Sequence, residues 1–232
     1  MTFLSSTCTA IFTLSVAAAI MADAGNAQTS TLPETTELAV PPPPPPPKHD
    51  HPRRGVDCDY ASDGTLTLSP GAYPSCIVQA KKLILAGDGD FTLGNSLIVA
   101  ETIIIKSNGR VKIPVSDVRA DKLVFVQGAA MDMSGATIIA KEVCGDLRGA
   151  YASGMTMIAQ DRISLNLINA DIQGSTFKTD TFGPGTMDNA HLYTYTQIDC
   201  RTNLADFSGA VGHALGHCPE PEKPNPDFVC DY

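Results

Sequence analysis

The chain has 232 residues, 43% apolar and only 18% charged, which suits one or two folded domains and argues against general disorder. Its formal charge of −9 excludes the basic face that a nucleic-acid partner requires. Beyond residue 27 no apolar run approaches the ~20 residues of a membrane span.

Residues 11–21 form an apolar stretch of signal-peptide length. Two small-x-small sites follow it, Ala22-Asp23-Ala24 and Gly25-Asn26-Ala27, although no Lys or Arg precedes it. Residues 1–27 are therefore expected to be a cleaved signal peptide, with an uncleaved anchor as the alternative. Cleavage removes one acid (Asp23) and no base, so −9 becomes −8. It also removes Cys8 and leaves Cys58, Cys76, Cys144, Cys200, Cys218 and Cys230. An even count after an export signal predicts disulfides in an oxidising compartment: periplasmic, cell-surface or secreted.

Residues 28–55 carry the unbroken run Pro41 to Pro47 and no apolar periodicity. They read as a disordered, proline-rich linker, whose seven prolines span ~22 Å as polyproline II. His49 and His51 on this linker are read as solvated polar residues.

From Ala80 onward the sequence repeats with a period of 20. Blocks begin at Ala80, Ala100, Ala120, Ala140, Ala159 and Thr179, the fourth one residue short. Apolar pairs two apart recur in register: Leu83/Leu85, Ile103/Ile105 and Leu123/Phe125, then Phe91/Leu93, Val111/Ile113 and Met131/Met133. Ile98, Val118, Ile138, Ile158 and Phe177 form a further column. Turn pairs such as Asp88-Gly89, Asn108-Gly109 and Arg148-Gly149 separate the runs. Two-residue alternation with β-branched residues and regular turns predicts short strands. Three strands per 20 residues make one coil of a parallel β-solenoid, stacked at ~4.8 Å. The fold expected is all-β: a right-handed parallel β-helix of about seven coils over residues 56–198. Residues 60–79 are a degenerate first coil, and the Ala column is a tight corner. Residues 199–232, with three cysteines, are expected to cap the open end as a disulfide-rich tail.

The phrase [Ser/Ala]-x-[Ile/Val]-x-Ala-x-x-[Leu/Ile]-x-[apolar] occurs at 96–105 and 116–125 and, less completely, at 136–144. It resembles the coil-to-coil phrase of bactofilins, bacterial β-solenoids that polymerise end to end. The resemblance implies the solenoid fold and a scaffolding role, and no site residues. The export segment and the cysteines depart from that family.

The outward column beside the second strand reads Thr92, Lys112, Asp132, Ala152, Asp171, His191. Its two acids are separated by Ala152, roughly 10 Å apart, too far to share a Ca²⁺ ion. Lys81, Glu101, Asp121 and Lys141 read as charge compensation on a solvated corner. Asp57, Asp59 and Asp63 read as turn acids. His213 and His217, four apart beside Cys218, lack the Glu of a metalloprotease motif. The many Thr residues fall in several columns, so no flat Thr array for ice is expected. No catalytic, metal-binding or cofactor residue is assigned. The expected role is structural, scaffolding or adhesive in a cell envelope, partnered by itself or by an envelope protein or polysaccharide. The alternative is a carbohydrate-binding or polysaccharide-cleaving β-helix.

One face breaks the alternation. Leu83-Ile84-Leu85, Ile103-Ile104-Ile105 and Leu123-Val124-Phe125 are apolar throughout, which implies cover on both sides. The outward ladder Ile84, Ile104, Val124, Cys144 is expected to lie under the chain's own tail or a docked partner. Cys144 and Cys200 lie about three coils, ~14 Å, apart, beyond the ~7 Å limit for a disulfide. Cys144 should then pair with Cys218 or Cys230, leaving Cys58 with Cys76.

Overall fold

The computed structural model describes residues 58–126, 130–193, 195–212, 216–221 and 230. The expected signal segment 1–27, the expected proline linker 28–55, His49, His51, Asp57 and His213 lie outside them. The described residues hold strands and no helix. In chain order the first nine are β1 (Asp59–Leu68), β2 (Gly71–Ala72), β3 (Ile77–Gly87), β4 (Phe91–Thr92), β5 (Leu97–Ser107), β6 (Arg110–Lys112), β7 (Asp117–Phe125), β8 (Ala130–Asp132) and β9 (Thr137–Asp146). The remainder are β10 (Tyr151–Ser153), β11 (Thr156–Asn166), β12 (Asp171–Gln173), β13 (Thr176–Lys178), β14 (Thr181–Thr186), β15 (His191–Tyr193), β16 (Gln197–Asp199), β17 (Thr202–Asp206) and β18 (Val211–Gly212).

Among the described residues the strands pair in parallel, and each meets its counterpart one coil away. A ten-stranded sheet runs from β1 to β16 and β17, and an eight-stranded sheet of short strands runs from β2 to β18. The fold is a parallel β-solenoid of eight coils. The eighth, β16 to β18, starts at Gln197 and runs through the stretch from residue 199 expected to be the tail. Its signal was weak because Asn203, Ala205 and Gly212 replace the larger apolar residues of earlier coils.

The Ala corner is as the repeat implied: Ala80, Ala100, Ala120, Ala140 and Ala159 are register partners. The long strands bend there, so each supplies two sides of the coil. Inside, Leu83, Ile103, Leu123, Val143 and Ile163 stack in one buried ladder. The opposite corner uses left-handed backbone at Ser75, Asn95, Val115, Gly135, Gly154, Gly174 and Tyr195. Beside it, buried hydroxyls satisfy backbone groups between coils. Cys76 N–H donates to Ser96 Oγ (3.1 Å), Ser96 N–H to Ser116 Oγ (3.2 Å) and Met155 N–H to Ser175 Oγ (3.1 Å). Among the described residues no buried side-chain N or O lacks a partner, as a buried interior requires.

Two columns need correction. Asp132 pairs with Tyr151, not Ala152, and Ile138 with Met157, not Ile158. The fourth repeat block is short in the corner ahead of β10, so the strand after it is shifted by one residue. That exchanges inward for outward positions: Ala152 and Met157 are buried, whereas Tyr151 and Ile158 are exposed.

Candidate functional site

Three disulfides hold the coils. Cys58–Cys76 closes the first coil, Cys200–Cys218 the last, and Cys144–Cys230 ties the fifth coil to a residue 86 positions later. Residues 216–221 lie against the final coil. Asn203 Nδ2 donates to Pro219 O (2.9 Å) and His217 N–H to Asp199 Oδ1 (3.0 Å). A cavity of about 400 Å³ lies there, lined by Leu192, Ile198, Phe207 and Pro219 among others. The His217 side chain is fully exposed. Among the described residues no group of three or more His, Cys, Asp or Glu is placed to hold a metal ion, and no helix is long and apolar enough to cross a membrane.

The apolar ladder proposed for docking is largely covered by the chain itself. Ile104, Val124 and Cys144 are buried, with Val126 and Cys230 packed against them. They therefore offer no free surface to a partner, and Ile84 stays half-buried. The continuous apolarity reflects cover anchored through Cys230.

On the same side, β7, β9 and β11 bring Lys122, Glu142 and Arg162 into one column. Lys122 Nζ lies 3.7 Å from Glu142 Oε2, and Arg162 donates to Glu142 Oε1. Burial pushes the Glu142 carboxyl up, but Arg162 and Lys122 outweigh it and hold its pKa below the usual glutamate value. At the Ala corner Lys141 Nζ meets Asp121 Oδ1 at 2.9 Å, the charge compensation read from that column. Thr137, Thr156 and Thr176 stack in a single column, while Thr65, Thr67 and Thr92 fall in others. The flanking Ile139 and Ile158 are exposed but Lys178 succeeds them, so this array is only three coils long.

The richest chemistry lies on the outward side of the short sheet. Asp132, Tyr151, Asp171, His191 and Val211 are successive register partners on β8, β10, β12, β15 and β18. Beside them Ser153, Gln173 and Tyr193 form a second column. Tyr151 is 41% and Tyr193 43% exposed. His191 Nδ1 lies 3.0 Å from Tyr193 Oη, their rings edge to face with centroids 5.6 Å apart. Gln173 Nε2 donates to Asp171 Oδ1 (3.2 Å), and Ser134 Oγ to Asp132 Oδ1 (2.9 Å). Each strand positions one or two of these side chains, because pleating sends alternate residues outward. The corner shift ahead of β10 hid this strip, since it replaces Ala152 with Tyr151 between the two acids. The strip offers aromatic faces and paired hydrogen-bonding groups on an open surface, which is the equipment of a binding face.

Neither a known protein family, a curated protein nor a solved structure matches the chain, and no bactofilin relationship is supported beyond the shared solenoid architecture.

Proposed function

We propose that the chain is an exported, non-catalytic β-solenoid that serves a structural or adhesive role in a cell envelope. The observation that carries this reading is the triple disulfide stitching of an eight-coil ladder. Such bridges persist in oxidising compartments outside the cytoplasm. The hydrogen-bonded coils give a stiff rod, suited to presenting a surface. Scaffolding by end-to-end stacking, as in bactofilins, is disfavoured at one end, because residues 216–221 lie over the last coil. A carbohydrate-binding role is the second reading, favoured by the exposed tyrosine strip.

Thiol trapping of the fractionated native protein tests this reading. The expected result is an extracytoplasmic chain that starts near residue 28 and has all six remaining cysteines oxidised. A cytoplasmic pool with reduced cysteines would overturn it.

A further inference from the structure

We propose that the outward side of the short sheet binds an extended neutral or N-acetylated polysaccharide, laid along the solenoid axis across β8 to β15. This deepens the adhesive reading and rests on it. A sugar ring presents an apolar C–H face and a rim of hydroxyls that both donate and accept. The strip presents the complement. Tyr151 and Tyr193 are exposed rings two coils apart, about 10 Å along the axis. Between them Asp171 and Gln173 form a joined acceptor–donor pair, and His191 and Asp132 extend the polar rail.

Three observations narrow the ligand. The face is an open ladder rather than an enclosing pocket, so it cannot bury a small molecule as a ligand cleft does. A polymer that repeats weak contacts from coil to coil compensates for this. The carboxylates of Asp132 and Asp171, on a chain of net charge −9, or −8 without residues 1–27, repel anionic polysaccharides. The rings stand apart with polar residues between them, unlike the contiguous apolar centre of a protein–protein interface.

Tyr195 adds a separate argument. It occupies the left-handed corner position (φ 70°) that Gly135, Gly154 and Gly174 fill in the three preceding coils. A bulky residue there is strained, and at 72% exposure its ring packs against little. Two residues after Tyr193 in the chain, it adds a further exposed ring at the corner that follows the strip.

Affinity electrophoresis and calorimetry of the full disulfide-bonded chain test this, with linear β-glucan, xylan, chitooligosaccharide and polygalacturonate as probes. At least one uncharged probe should bind, and polygalacturonate should not. Tyr151→Ala and Tyr193→Ala should each weaken binding roughly 2- to 10-fold, the range an aromatic contact supplies. Ile139→Ala, on another side of the coil, should leave it unchanged. Tyr195→Gly should raise the unfolding midpoint while lowering affinity, a pairing that a purely structural role does not produce. The proposal is overturned if the folded chain binds no uncharged probe, prefers polygalacturonate, or binds undiminished with Tyr151 and Tyr193 both replaced. None of these outcomes alters the compartment and thiol readout, so the two readings fail separately.

Discussion

Coils two and three and coils five to eight close the same corner, between the long and short sheets, around different buried groups. In the early coils the corner is polar. Ser107 Oγ donates to Gly87 O (3.3 Å) and Gly89 O (3.0 Å), Asn108 Nδ2 to Asp88 Oδ1 (2.7 Å), and Arg110 N–H to Asp90 Oδ1 (2.8 Å). In the later coils the buried group is apolar inside a tight turn, while outside it Asn189 Nδ2 still donates to Asn169 Oδ1 (2.6 Å). Ala150, Ala170, Ala190 and Ala210 N–H donate to the carbonyls of Leu147, Leu167, Met187 and Phe207, three residues back. Leu147, Leu167 and Met187 are buried. The difference is more than local. The shorter corner ahead of β10 turns Tyr151 outward and Ala152 inward, so the strip of Tyr151, Asp171, His191 and Tyr193 exists only on the later half. A one-residue change in a turn has changed which side chains face outward on an otherwise repetitive rod.

The strongest test of that division is the bridge at the junction. Cys144–Cys230 closes a loop of 86 residues, against 18 for Cys58–Cys76. Chain entropy gives about 4.5 kcal/mol for the former and about 3 kcal/mol for the latter. Replacing Cys144 and Cys230 together with Ala should lower the urea midpoint more than replacing Cys58 and Cys76. It should also raise binding of a hydrophobic dye, because Ile104 and Val124 lose part of their cover. Equal losses without dye binding would show that the ladder is held down by other contacts.

Next in size is Gly145, where the new corner starts. Leu85, Ile105 and Phe125 stack as large residues, and then Gly145 takes the next place. Its φ is 144°, and a Cβ there would overlap the Phe125 carbonyl oxygen. Gly145→Ala should cost about 3 kcal/mol, combining backbone strain with a forced backbone shift. Gly149→Ala, left-handed but with open space around it, should cost about 1 kcal/mol. If the two losses match in denaturant titrations, the stacking against Phe125 is looser than its geometry indicates.

The long-range order of this fold was legible because its repeat is enforced by stacking. A corner that must stay small shows as Ala80 to Ala159, and an inward ladder as Leu83, Ile103 and Leu123. The sparing of Cys144 from Cys200 followed from coil spacing alone. The outward strip of Tyr151, Asp171, His191 and Tyr193 was not legible, for a physical reason. Arg148-Gly149 resembles Asn108-Gly109, so matching by turn dipeptides carried the register one residue too far through the short block. The apolar turn announces itself in Leu147-x-x-Ala150, Leu167-x-x-Ala170, Met187-x-x-Ala190 and Phe207-x-x-Ala210, again at a period of 20. That pattern places the missing residue before Ala150 and predicts Tyr151 outward. The eighth coil was hidden differently, because its interior positions carry the small or polar Asn203, Ala205 and Gly212.

The smallest effect concerns the ion column that spans both halves on the long sheet. Lys122 lies on the fourth coil, Glu142 on the fifth and Arg162 on the sixth, and both cations hold Glu142. With the folded pKa of Glu142 below its unfolded value, the carboxylate stabilises the fold fully above the unfolded value of about 4.3. That contribution is lost as pH falls from there through the folded pKa. All three side chains are partly exposed, so the contribution should stay under about 1 kcal/mol. Asp206, held low by hydrogen bonds from the Ser208 backbone and side chain, loses its contribution in the same direction and so forms the background. Glu142→Gln should therefore flatten, without abolishing, the fall in the unfolding midpoint below pH 4.3. It should leave the midpoint at pH 7 lower by a similar small amount. An unchanged acid limb in this variant would mean that Lys122 and Arg162 are satisfied by water, and that the two halves are joined there by backbone hydrogen bonds and packing alone.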